Sequence, residues 1–199
     1  MLILTIKQGK EKSLLAHEPW IYASAVERVD GRAHEKMRAG ATALVQASNG
    51  TFLARAAYNA RSQIRARVWS FLPDEAVDHA MIKRRVAAAV VRHAPRNNSS
   101  TPRPIHLVRS DEDGLSGLQV VWHGGRSGFL LCQFQAAGVD FWKVAIVQAL
   151  MAETHCPNVV EHCQPLLRKG ECLPLLEGIL AGAAPAATLL AQALAVKLD

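Results

Sequence analysis

The chain has 199 residues, 23 of them Lys or Arg and 17 Asp or Glu, for a formal net charge of +6. Half of the residues are hydrophobic, which excludes a disordered chain and supports one large domain or two small ones with cores that need no disulfides. The excess charge is confined to the first third: residues 1–72 hold eleven Lys and Arg against five acids, and the remainder balances at twelve of each. A one-sided basic balance points to a polyanion, most often nucleic acid.

In chain order, LILTI reads as a strand, GKEKSLLAHEP as a glycine turn with a helical turn stopped before Pro19, and WIYASAV as a second strand. The start turns charged after a few apolar residues, so no leader is expected. The strongest local signal is TALVQAS and TFLARAAY joined by Asn49-Gly50, which predicts a hairpin with a type I′ turn. SQIRARVWS follows, sending Ile64, Ala66 and Val68 to one face and Arg65, Arg67 and Trp69 to the other. Short strands with turn signals at this spacing predict a small β-barrel.

The period changes after Phe71. Val77, Met81, Ile82, Val86, Val90 and Val91 predict a helix near 75–93, with Asp74 and Glu75 at its N-terminal end. RNNSSTPRP, 96–104, is a loop by composition. PIHLV, LQVVWHG and FLLCQFQ read as strands and 139–154 as a second helix, so a second, α/β unit begins near residue 74. The tail 178–196 carries no charge, but its alanine and glycine content, Pro185 and two polar residues argue against a membrane span. A short helix after Pro185 is expected instead.

On the face that Arg65, Arg67 and Trp69 share, two arginines suit a phosphate backbone and a tryptophan suits a stacked base, a pairing typical of single-stranded RNA. Lys10, Lys12, Arg55, Tyr58 and Arg61 are candidates to extend that surface. A plainer reading packs Trp69 under the second unit, with the arginines lying over it. HCPNVVEHC, 155–163, places two His-Cys pairs seven residues apart but has no tight cysteine knuckle, so buried or idle thiols are expected and no metal. SDEDG, 110–114, reads as a solvated acidic turn. No phosphate-cradling loop, dinucleotide fingerprint or nucleophile elbow is present, so no catalytic residue and no cofactor are assigned.

The order and spacing of GKEKSLLAHEPWIYASAV, LARAAYNARSQIRARVWSF and LVRSDEDGLSGLQV resemble those of the RlmI-type methyltransferases. That family methylates cytosine C5 in large-subunit ribosomal RNA, using S-adenosylmethionine. The resemblance implies an N-terminal PUA domain, a small RNA-binding pseudo-barrel, followed by a central α/β domain. The family's C-terminal catalytic domain, with its cofactor loop and catalytic cysteines, has no counterpart among these residues. Departures occur within the central domain: Ser116 replaces a proline, Val121-Trp122 an Asp-Arg pair, and His162-Cys163-Gln164 an Arg-Ser-Asp stretch. The expectation is therefore an α+β protein with a PUA-like domain over 1–73, a central α/β domain over 74–175 and an Ala-rich tail over 176–199. It binds RNA, by resemblance ribosomal, through Lys10, Lys12, Arg55, Tyr58, Arg61, Arg65, Arg67 and Trp69. The alternatives are the RNA-targeting subunit of a split methyltransferase and an interaction module that dimerises. Its four cysteines and the absence of a leader suggest the cytoplasm, with no membrane association.

Overall fold

The protein is described here from a computed structural model, which covers residues 1–94 and 103–196. Most of the loop expected over 96–104, namely 96–102, lies outside the described residues.

In the first unit, β1 (Leu2–Ile6) is followed by one helical turn, α1 (Lys12–Leu15), and a short strand, β2 (Trp20–Tyr22). A 3-10 turn at Ala23–Ala25 divides β2 from β3 (Val26–Asp30), so WIYASAV is two strands rather than one. A short helix, α2 (Ala33–Met37), then leads to β4 (Ala41–Ala47), β5 (Phe52–Tyr58) and β6 (Ile64–Ser70). These six strands form a curled half-barrel in the order β2-β6-β5-β4-β1-β3, antiparallel except where β1 lies parallel to β4. The inner positions Leu2, Leu4, Ile6, Val45 and Val68 make its core, and small side chains at Ala43, Ala54, Ala56 and Ala66 let the sheet curl around them. The β4–β5 hairpin turns on Gly50, whose φ is +86°. Asn49 keeps a negative φ and Ala47 accepts from the Gly50 amide, so the link is an ordinary turn ending in a left-handed glycine, in place of the expected type I′ turn.

The second unit opens with α3 (His79–His93). Its N-cap is Asp78, whose carboxylate accepts from the Met81 amide at 2.9 Å, so the helix starts later than Asp74 and Glu75 suggest. Then come β7 (Ile105–Arg109), β8 (Leu118–His123) and β9 (Phe129–Phe134). The single helix expected over 139–154 is two, α4 (Ala137–Phe141) and α5 (Lys143–Thr154), because Trp142 leaves helical geometry between them. Three short elements carry little sequence signal: β10 (Val159–Glu161), α6 (Pro165–Gly170) and β11 (Gly178–Ala181). A final helix, α7 (Ala187–Leu194), follows Pro185.

The second sheet runs β11-β10-β9-β8-β7, antiparallel except for the β9–β10 pair. Buried side chains of α3 and α5 pack on one face, against Leu118, Val120 and Leu130. On the other face Ala193 and Leu190 of α7 meet Val121, Phe129 and Leu131. Within the Ala-rich tail, Gly178–Ala181 forms an edge strand of this sheet and the helix after Pro185 covers it. Among the described residues, no helix is long and apolar enough to cross a membrane.

The two units share a core. Ala57 and Trp69, from β5 and β6, belong to the same buried cluster as α3, α5 and the second sheet. Arg85 of α3 ties the seam by donating to the carbonyls of Trp69 and Gly114.

Candidate nucleic-acid interface

Strand parity in β6 sorts the side chains as the sequence suggests, with Ala66 and Val68 in the half-barrel core. The opposite face is covered by the second unit, as the plainer reading has it, rather than left open to RNA. Trp69 is 5% exposed, and Gly138 of α4 approaches so closely that a Cβ there would sit 2.6 Å from Ala57 and 3.1 Å from the Trp69 ring. Trp69 therefore offers no surface to a base. Arg67 donates to the Glu171 carboxylate at 2.9 and 3.3 Å and to the Ser116 hydroxyl at 3.3 Å. Arg65 donates to the Asn59 carbonyl at 3.4 Å.

Tyr58 is also withdrawn, since its ring belongs to the half-barrel core and is 5% exposed. Arg55 is half-buried and donates to the Pro73 carbonyl at 2.9 Å. Lys10, Lys12 and Arg61 are exposed. Lys10 follows Gly9, whose φ of +82° makes the tight turn into α1, and it lines a narrow crevice together with Trp20 and Tyr22. The eight expected residues therefore separate into three sets. Lys10, Lys12 and Arg61 are a solvated basic set around α1 and the β5–β6 loop, Arg67 and Trp69 lie at the seam, and Arg55, Tyr58 and Arg65 are held within the first unit or its edge.

Beside the seam lies a cleft of about 470 Å³. The first unit supplies Trp20, Gln63 and Arg67, and the second supplies Asp111, Gln119 and Gln135. Trp20 pairs with Arg67 across β2 and β6, and the Arg67 guanidinium stands 5.4 Å from its ring centre. Trp20 borders both the cleft and the crevice at Lys10. None of these residues except Arg67 stands out from the sequence as a site. The signal available was the alternation in β2, where Ile21 is buried between Trp20 and Tyr22, which remain 38% and 50% exposed.

The other motifs have structural roles. Asp113 is buried and accepts from Arg92, from the Arg109 amide at 2.7 Å and from His93, so SDEDG is in part a tether for α3 rather than a solvated turn. Cys156 and Cys163 are buried, and among the described residues no three His, Cys, Asp or Glu side chains gather to hold an ion. Burial pushes the Cys132 thiol well above its ordinary value, which keeps this sulfur protonated. A network of buried Arg168 and Glu161 with half-buried Lys143 and Asp140 joins α4, α5, α6 and β10.

Residues 4–71 match the family of PUA-like domains. Over nearly its whole length the chain is homologous to proteins named ribosomal RNA large subunit methyltransferase I. With the one from Shewanella amazonensis it is 32% identical over 195 residues, 98% of this chain and 48% of the relative. With that from Erwinia tasmaniensis it is 36% identical over 185 residues, 92% of this chain and 44% of the relative. The chain thus spans about half the length of the curated relatives it matches. In fold it resembles a Streptococcus mutans protein described as a SAM-dependent methyltransferase, with a TM-score of 0.71 and 14% identity over 94% of this chain and 44% of that one.

Proposed function

We propose that this protein binds RNA through the side of its first unit formed by α1, β2 and the β5–β6 loop, and that the second unit braces that surface. The observation that carries this reading is a coincidence in place: the PUA-like residues 4–71 hold the whole charge excess, and Lys10, Lys12 and Arg61 of that segment stand in solvent. Phosphate neutralisation by such cations supplies affinity and makes it depend on salt. Arg67 contributes less of this because Glu171 already balances it. Ribosomal RNA is the target the relatives' name suggests, and we carry it to this chain on their homology.

Replacing Lys10, Lys12 and Arg61 together by Ala should weaken RNA binding and flatten the slope of log affinity against log salt by about two, at roughly 0.7 per single-strand contact. An unchanged slope in a folded variant would remove these residues from the surface. A second reading, the RNA-docking part of a methyltransferase whose catalytic unit lies outside these residues, is favoured by one feature. Leu166, Leu175, Leu176 and Ile179, on and after α6, are each exposed, and a patch of such side chains would mark an interaction surface. Light scattering of the purified chain tests it: a dimer would assign the patch to self-association, and a monomer would leave it to another unit.

A further inference from the structure

We propose that the interdomain cleft holds one unstacked RNA base, turned in past Trp20 from a backbone that runs over Lys10, Lys12 and Arg61. This rests on the RNA-binding reading above and assigns that surface its base-recognition site. The cleft of about 470 Å³ falls within the roughly 300–1,000 Å³ typical of small-ligand sites. Its charge selects the occupant. Glu171 neutralises Arg67 and Asp111 adds a second carboxylate, so a phosphate inside would meet no net positive field. A neutral, flat, polar-edged group meets what it needs. Trp20, 38% exposed with the Arg67 guanidinium already over its ring, offers a plane for stacking, the usual way single-stranded bases are gripped.

The cleft wall reads edges as well as faces. Gln63, Gln119 and Gln135 each carry a donor and an acceptor, and Asp111 accepts from an exocyclic amine. Gln135 is 5% exposed and its amide nitrogen has no partner among the described residues, an unmet donor of the kind a ligand satisfies. The cations fit the same path. Lys10 shares the Trp20 crevice on one side, and Arg61 precedes the cleft residues Ser62 and Gln63 on the other. Phosphates on either side of the turned base would therefore fall near positive charge while the base itself enters a space with no net positive charge.

The test is fluorescence anisotropy with a labelled ten-nucleotide single-stranded RNA of mixed sequence at several salt concentrations, for the wild type and for Trp20→Ala, Trp20→Phe and Gln119→Ala. Trp20→Ala should weaken binding about tenfold or more at every salt, because a stacked base is lost while the phosphate contacts and the slope remain. Trp20→Phe should recover most of that loss. Gln119→Ala, on β8 of the second unit, should weaken binding several-fold. Wild-type affinity in both Ala variants would overturn the proposal, and so would loss in Trp20→Ala with none in Gln119→Ala, which would place the base on the half-barrel edge alone. Absence of RNA binding by the wild type would instead defeat the RNA-binding reading itself. Thermal melts of each variant separate lost binding from lost fold.

Discussion

Arg168 shows how much one side chain can hold. It is fully buried, donating from Nε to the Pro174 carbonyl at 2.6 Å and from Nη1 to Asp140 at 2.9 Å and to the Phe134 carbonyl. Arg168→Ala would leave two carbonyls unpaired and the carboxylates Asp140 and Glu161 with Lys143 alone, at a cost of about 3–5 kcal/mol in a urea titration. Arg168→Lys should also lose stability, since an ammonium cannot reproduce the fork. Near the seam, a hydrogen bond from Ser70 and the charges of Arg84 and Arg85 hold the Glu75 carboxyl below the usual carboxylate range. A carboxyl lowered in the folded state stabilises it fully above the unfolded value, and that contribution is lost as pH falls through the folded value. Glu75→Gln should therefore melt earlier than wild type at neutral pH, with the two curves converging in acid. A constant offset at all pH values would show that charge is not the cause.

At the level of elements, α4 is the piece that fixes the seam. Gly138→Ala would press a methyl group against Ala57 and the Trp69 ring, and overpacking of this kind costs about 1–3 kcal/mol. Wild-type stability in that variant would mean the seam can open to take it. The long strands β4, β5, β6, β8 and β9 and the helix α3 were legible because each repeats its pattern over enough residues to show a period. The three residues of β10 and the four of β11 are too few for that, and their place is set by partners far along the chain. The candidate site was legible only in part. Parity divides β6 into two faces but cannot say what covers the second, which is why Trp69 reads as open until α4 is in place. Tyr58 is different: it has the opposite parity to Arg55 on the same strand, so alternation alone was enough to separate them. Trp20 escaped notice because WIYASAV shows no break where the chain turns after Tyr22.

Across the whole molecule, the shared core joins two sheets into one frame, and that frame gives the basic end of the first unit a fixed neighbour. The charge excess lies in residues 1–72, the cleft opens beside it, and Trp20 borders both the cleft and the crevice at Lys10. A PUA-like half-barrel braced in this way can present cations and a base site in a constant relation, which suits a reader of structured RNA with an unpaired nucleotide. The most direct measurement is fluorescence-anisotropy titration of the purified chain with a ribosomal RNA fragment, a single-stranded RNA and a duplex DNA, each at several salt concentrations. Preference for RNA is expected, with affinity falling steeply as salt rises. No binding to either RNA at low salt, or equal binding to duplex DNA, would contradict it.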